Sequence, residues 1–238
     1  MTLDISVHKT ILFQILKDIY SNTNIAPFLG FKGGTATLMF YNLDRFSVDI
    51  DLDLLDESKE DEVFTEIIEI VKRYGTLKES YKKRFNLFFL ISYEDKSHNI
   101  KIEINRRQFD SKYELKTYLG VSMLVMVPED LFAHKLMAMQ ERIGKTSRDI
   151  YDVWFYLSNR FPIDKGIIEK RSNMSFNQLL SKCILQLEKF NNNQILDGLG
   201  ELLTPSQKDW AKAKFQAETI ALLKLRLEST GRGNENKA

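Results

Sequence analysis

The first half of the chain shows two hydrophobic periods. Apolar residues recur at three- and four-residue steps over 5–20 and again over 59–74, which predicts two amphipathic helices. After Pro27, the run FLGFKGG predicts a short strand broken by glycines, and TATLMFYN predicts a helical turn. The apolar segment 84–93 and the alternating segment 99–107 predict two further strands.

The segment from Arg45 to Leu54 alternates without a break and predicts a strand with two unlike faces. The apolar face would hold Phe46, Val48, Ile50, Leu52 and Leu54. The polar face would hold Arg45, Ser47, Asp49, Asp51 and Asp53. Aspartate is depleted in strands, so three of them in one row indicate a bound cation. The alternative is the solvated face of an antiparallel sheet, where polar alternation is ordinary.

The pattern becomes helical after residue 127. Apolar residues at helical spacing mark four segments: 128–143, 147–160, 175–190 and 205–230. We therefore predict an α+β domain over residues 1–127 and a helical domain over 128–229. The polar end, 230–238, predicts a disordered tail.

Composition narrows the class of protein. Hydrophobic residues make up 43% of the 238, which favours a folded globule, and a net charge of +1 argues against a polybasic protein held to nucleic acid by bulk charge. One cysteine and three histidines exclude an intramolecular disulfide and an ordinary zinc site. The start lacks a signal-peptide pattern and no apolar run reaches membrane-spanning length, so we expect a soluble cytoplasmic protein.

Two local features together suggest phosphate and metal chemistry. Asp49 and Asp51 at i and i+2 on a strand have β-carbons roughly 6 to 7 Å apart, so both can hold one Mg²⁺. Gly33 and Gly34, between a strand and a helix start, let backbone N–H groups approach an anion such as phosphate. The order of the two features predicts a phosphate cradle next to a metal site.

These residues carry a family resemblance. FKGGTATLMFYNLDRFSVDIDLDL resembles the signature of the nucleotidyltransferase superfamily with a polymerase-β-like core. Its Arg-x-Ser-x-Asp-x-Asp form resembles the AbiEii/AbiGii toxin nucleotidyltransferases of abortive infection. LFAHKLMAMQERIGKTSRDIYDVWFYL resembles the family's downstream helix, in which a lysine is followed by Arg-Asp-x-x-Asp. The resemblance implies a small mixed sheet with flanking helices, followed by a helical C-terminal domain.

The resemblance also implies roles for individual residues. The implied metal ligands are Asp49 and Asp51. The implied nucleotide-binding residues are Gly33, Gly34, Thr35, Arg45, Ser47, Lys135 and Arg148. Asp149 or Asp152 would act as general base or hold Lys135 and Arg148 in place, and Glu103 would be a third active-site carboxylate. Many members of the superfamily carry serine where this chain has Gly34, so one phosphate donor would be missing.

Structural alternatives stand beside these roles. Lys135 could be an ordinary surface lysine lying over a helix. Asp149 could lie in the first turn of a helix capped by Ser147, where the helix dipole favours a negative charge. Glu103 could form a Lys-Glu pair with Lys101 on the same exposed strand.

The function implied by the resemblance is Mg²⁺-dependent transfer of a nucleoside monophosphate from an NTP to a hydroxyl acceptor. The acceptor would be tRNA, another RNA or a protein, and the protein would be a toxin with a cognate antitoxin encoded nearby. One alternative is an antibiotic-modifying nucleotidyltransferase with a small-molecule acceptor. The other is a non-catalytic interaction module on the same fold.

Overall fold

The computed structural model describes residues 4–93 and 98–235. The chain divides into two compact units, an N-terminal unit, Met1–Val127, and a C-terminal unit, Pro128–Ala238. Within the described residues, no helix combines the length and the apolar character needed to cross a membrane.

The N-terminal unit contains three α-helices and seven strands in its described part. The helices are α1 (Ile5–Ser21), α2 (Gly33–Tyr41) and α3 (Glu60–Val71). The strands are β1 (Leu29–Lys32), β2 (Ile50–Leu54), β3 (Thr76–Lys82), β4 (Asn86–Tyr93), β5 (His98–Asn105), β6 (Tyr113–Tyr118) and β7 (Val121–Met126). The side chain of Asp4 begins α1 by accepting hydrogen bonds from the N–H groups of Ser6 and Val7.

The strands form one mixed sheet in the order β3-β4-β5-β2-β1-β7-β6. β2 lies near its centre, antiparallel to β1 and parallel to β5. β1 also pairs in parallel with β7, and the remaining pairs are antiparallel. This mixed sheet with flanking helices confirms the predicted fold class.

The apolar face of β2 forms part of the core of the N-terminal unit. Ile50, Leu52 and Leu54 are fully buried. They belong to one cluster with apolar side chains of α1 and α3, such as Ile15 and Ile67. Burial of this face on one side of the sheet directs the alternate polar residues of β2 to the other side.

The structure differs from the predicted strand over 45–54, because β2 begins only at Ile50. β1 ends at Lys32, opposite Asp51, and the chain then turns into α2. Residues 45–49 therefore lack the β1 ladder and follow an irregular path. The strands β3, β6 and β7 were not predicted, and polar residues obscure the period of β3 and β6.

The C-terminal unit is helical, as predicted. Its α-helices are α4 (Pro128–Arg142), α5 (Arg148–Ser158), α6 (Lys165–Ser172), α7 (Phe176–Glu188), α8 (Pro205–Trp210) and α9 (Gln216–Glu235), with a π-helix at Ala211–Phe215. The helix α6 was not predicted.

The end of the chain also differs from the prediction of a disordered tail. The helix α9 continues through residues 230–235, and 236–238 lie outside the described residues. Thr230 Oγ1 donates a hydrogen bond to Asn177 Oδ1 at 2.7 Å, which ties this part of α9 to α7. A helix already held by such contacts extends at little further cost, even through polar residues.

Candidate active site

Strand register places polar side chains of three strands on one face of the sheet. Asp51 on β2 lies opposite Lys32 on β1 and opposite Glu103 on β5. Residues directly opposite each other point to the same side of a sheet, so these three side chains are neighbours. The predicted third carboxylate, Glu103, thus shares the face of Asp51.

The two glycines lie against this polar row. Gly33, with φ +79°, begins α2, and a β-carbon there would come within 2.8 Å of Asp51 Cβ and Cγ. A β-carbon at Gly34 would lie 2.8 Å from Ser47 Oγ and 3.0 Å from Arg45 Nη2. The space that a serine side chain would use at residue 34 is therefore occupied by Ser47 and Arg45.

Asp49 precedes β2, and its backbone is held by a side chain. Thr35 Oγ1 donates a hydrogen bond to the Asp49 carbonyl oxygen at 2.5 Å and lies 3.0 Å from Ser47 Oγ. Thr35, Ser47 and Arg45 are all buried, and Arg45 Nη1 donates to the Phe46 carbonyl oxygen at 2.8 Å. The hydrogen of the Thr35 hydroxyl is used inside the protein, so Thr35 supports Asp49.

Lys101 provides a positive charge among the carboxylates. Its Nζ lies 3.4 Å from Asp49 Oδ2 and 3.4 Å from Glu103 Oε2. Burial alone would lower the pKa of Lys101, but the carboxylates of Asp49, Glu103 and Asp51 outweigh it, and the net pKa is raised. Lys101 is therefore charged at neutral pH. The predicted Lys101–Glu103 pair exists, and it also includes Asp49.

Asp53 belongs to a separate buried network at the other end of β2. Lys32 Nζ lies 2.5 Å from Asp53 Oδ1, Asn105 Nδ2 donates to the same oxygen at 2.6 Å, and the Tyr113 hydroxyl donates to Oδ2 at 2.5 Å. Three donors satisfy this carboxylate inside the protein. Among the three aspartates of the row, Asp53 thus has a structural role, and Asp49 and Asp51 remain the candidates for metal binding.

The chemistry of Asp49 and Asp51 fits Mg²⁺. Carboxylate oxygens are hard donors, and Mg²⁺ is commonly held by one or two protein carboxylates together with water and substrate phosphates. Across residues 4–93 and 98–235, no three or more His, Cys, Asp or Glu side chains form a group that could hold a metal ion. Because Mg²⁺ usually keeps waters and phosphate oxygens among its ligands, two carboxylates can be sufficient as protein ligands.

The C-terminal unit contains a buried cluster of opposite charges. Lys135 Nζ on α4 lies 2.7 Å from Asp152 Oδ2 and 3.4 Å from Asp149 Oδ1, both on α5. Arg142 Nη2 lies 2.8 Å from Asp149 Oδ2 and 2.9 Å from Oδ1. The aspartate side chains are 2% and 1% exposed and that of Lys135 is 15% exposed, which excludes an ordinary surface lysine.

Two other predicted residues of this unit, Arg148 and Ser147, donate hydrogen bonds to backbone carbonyl oxygens. Arg148 Nε donates to the Gly198 carbonyl oxygen at 2.6 Å. Ser147 occupies the N-cap position of α5, but its side chain makes no capping hydrogen bond and Ser147 Oγ donates to the Gln194 carbonyl oxygen at 3.3 Å. The proposed capping role of the Ser147 side chain is therefore wrong.

Sequence reasoning missed several partners of these residues. Lys32, Asn105 and Tyr113 were not connected with Asp53, and Arg142 was not connected with Asp149. Arg142 is seven residues after Lys135, so helical spacing could have placed both on one face of α4. No signal of that kind links Tyr113 to β2, because strand order decides that contact.

A family model described as "Nucleotidyl transferase AbiEii toxin, Type IV TA system" matches residues 14–219. The match includes both motifs and the two charged clusters described above. No curated protein matches the chain by sequence.

Two solved structures share the fold. JHP933 from Helicobacter pylori superposes with a TM-score of 0.58 and 18% identity, covering 99% of each chain. A proposed nucleotidyltransferase from H. pylori superposes with a TM-score of 0.61 and 16% identity, covering 98% of each chain. The low identities limit this likeness to the fold.

Proposed function

The chain belongs to the AbiEii family of nucleotidyl transferase toxins and is a nucleotidyltransferase, and on that premise we propose the reaction that it performs. A hydroxyl oxygen of tRNA, another RNA or a protein attacks the α-phosphorus of an NTP. The bond between the α-phosphorus and the oxygen that bridges to the β-phosphate breaks. Pyrophosphate leaves, and the hydroxyl proton passes to a base.

The observation that supports this proposal best is the contact between Gly33 and Asp51. The first residue of α2 packs against a carboxylate of the strand, so the start of the helix lies beside the polar row. Helix N-termini favour anions because their first N–H groups have no partner within the helix. The backbone N–H groups of Gly33 and Gly34 would bind triphosphate oxygens.

Asp49 and Asp51 would hold Mg²⁺. When bound, the cation would neutralise the charge of the triphosphate and of the leaving pyrophosphate. Glu103 would take the proton of the attacking hydroxyl, since its carboxylate shares the face of Asp51. Lys101, which lies 3.4 Å from Glu103 Oε2 and 3.4 Å from Asp49 Oδ2, would limit repulsion among the acids.

In the C-terminal unit, Lys135 would supply positive charge for the triphosphate. Asp152 and Asp149 hold its ammonium group at 2.7 and 3.4 Å. Both aspartates are buried and ion-paired, a setting that suits positioning of Lys135 better than removal of a proton. Arg148 would assist in nucleotide binding.

The family description names a type IV toxin-antitoxin system, which implies an antitoxin partner. We propose that nucleotidyl transfer to RNA or protein in the cytoplasm inhibits growth, and that the antitoxin opposes this inhibition. Expression of the Asp49→Asn variant would then leave growth unaffected.

The reaction is tested by incubating the full chain with labelled NTPs, Mg²⁺ and either total RNA or a protein extract. Wild type and Asp209→Asn are expected to transfer label, whereas Asp49→Asn should lose at least about 100-fold in rate. Asp209 is an exposed aspartate of α8 and controls for the amide substitution. Equal transfer by wild type and Asp49→Asn would contradict the proposal. In a parallel assay with antibiotics as acceptors, label found only on an antibiotic would favour the small-molecule alternative.

A further inference from the structure

The segment that carries Asp49 has no strand ladder to hold it. Residues 46–49 are irregular, and β2 begins at Ile50. Two side chains instead bind consecutive backbone carbonyls of the segment. His8 Nε2 lies 2.9 Å from the Val48 carbonyl oxygen, and Thr35 Oγ1 donates to the Asp49 carbonyl oxygen at 2.5 Å.

The orientation of the His8 imidazole is fixed by its own contacts. The residue is 1% exposed, and its Nδ1 lies 2.5 Å from the hydroxyl of Tyr93 on β4. The imidazole also packs edge-on against Phe46, with the ring centroids 5.8 Å apart. Contacts with Tyr93 of β4 and with the Phe46 ring therefore determine where the Nε2 atom points.

The hydrogen-bond roles of the ring follow from its partners. A carbonyl oxygen only accepts, so His8 Nε2 carries the hydrogen and donates to Val48. Burial lowers the pKa of His8, although the Val48 carbonyl and the charge of Asp49 oppose this effect. A neutral ring with hydrogen on Nε2 accepts through Nδ1, and Tyr93 supplies that hydrogen.

We propose that His8 is a positioning residue, which through the Val48 carbonyl fixes the direction in which Asp49 presents its carboxylate. This inference rests on the proposed metal-binding role of Asp49. Asp51 needs no such support, because it lies within β2 and its backbone is flanked by two neighbouring strands. In the sheet it is opposite Lys32 of β1 and Glu103 of β5. Loss of the hydrogen bond between His8 and Val48 would therefore weaken metal binding by Asp49 and leave the position of Asp51 unchanged.

Two amide substitutions at residue 8 separate the two ring nitrogens. The glutamine amide reaches about as far as His Nε2, so His8→Gln keeps a donor for Val48. The shorter amide of His8→Asn reaches only the position of Nδ1 and leaves Val48 without its donor. Both variants remove the ring and its packing, so they control for each other.

Mn²⁺ titration followed by electron paramagnetic resonance provides a readout independent of turnover. We expect His8→Asn to bind Mn²⁺ about tenfold more weakly than His8→Gln, as is usual for residues that orient metal ligands. The nucleotidyl transfer rate should fall in parallel, whereas the two melting temperatures should agree. Tyr93→Phe keeps the His8 imidazole but removes the hydroxyl that orients it. This variant should give a smaller loss of Mn²⁺ affinity.

Equal Mn²⁺ affinity of folded His8→Asn and His8→Gln would overturn the positioning role. Failure of the proposed function gives a different result, because wild type itself would then bind no Mn²⁺. In that case amide hydrogen exchange at Asp49 and Ile50 still decides the role of His8. Faster exchange in His8→Asn than in His8→Gln would support it, and equal exchange would refute it.

Discussion

At the scale of single residues, the close approach of Gly33 to Asp51 is the tightest constraint on the candidate site. Gly33 has φ +79°, and a β-carbon there would contact the Asp51 side chain. Gly120 has a similar φ of +81°, but a β-carbon there would meet nothing within 4 Å. Both glycines therefore adopt a positive φ, but only at Gly33 would a β-carbon also collide with another side chain.

This difference predicts unequal effects of alanine. Gly120→Ala should cost about 1 kcal/mol, the usual penalty for a β-carbon at positive φ. Gly33→Ala should cost about 1 to 3 kcal/mol more, because the added carbon must displace Asp51. Urea unfolding measures both costs.

The same comparison tests the site. Gly33→Ala should also weaken Mn²⁺ binding, whereas Gly120→Ala should leave Mn²⁺ binding unchanged. Equal unfolding free energies for the two variants would show that Asp51 can move away without cost.

At the scale of elements, β1 and β2 are joined by more than their backbone ladder. Lys32 on β1 pairs with Asp53 on β2 at 2.5 Å, and the two side chains are only 20% and 10% exposed. Asn105 and Tyr113 bring β5 and β6 to the same carboxylate. Four strands thus meet at Asp53, at one end of the strand that leads into the site.

Lys32→Met should therefore be strongly destabilising. Removal of one partner leaves a buried carboxylate without its cation, which costs about 3 kcal/mol or more. Lys32→Met combined with Asp53→Asn should recover part of that loss, since no unpaired charge remains. Chemical denaturation of both single variants and the double variant gives the coupling free energy, and strictly additive losses would contradict a buried ion pair.

At the scale of the whole molecule, each unit has its own buried interior. The chain has one cysteine, Cys183, which lies fully buried on α7 in the C-terminal unit. Burial raises the pKa of the Cys183 thiol to about 12. The thiolate is the reactive form, so the folded protein presents almost none of it at mildly alkaline pH.

Cys183 should therefore report on unfolding of the C-terminal unit. Labelling by a thiol reagent at mildly alkaline pH should be at least about 1,000-fold slower in the folded protein than in guanidinium chloride, because the thiolate fraction falls tenfold for each unit by which the pKa rises. Cys183→Ala provides the blank. Rapid labelling without denaturant would show that this interior opens readily.

The local features of this protein follow from the periodicity of its sequence. It identified most of the helices, the central strand, and the buried face of that strand at Ile50, Leu52 and Leu54. The motifs around Gly33 and Asp49 indicated the family, since both depend on residues close together in the chain. These features are local, and alternation or helical spacing records them directly.

The contacts between residues distant in the chain depend on tertiary structure. Strand order and register bring Lys32 and Glu103 beside Asp51, and they bring Tyr113 to Asp53. Helix packing places Lys135 between Asp149 and Asp152, and the packing of α1 directs His8 to Val48. Such contacts depend on which elements are neighbours and in what register, and residue spacing along the chain does not encode either.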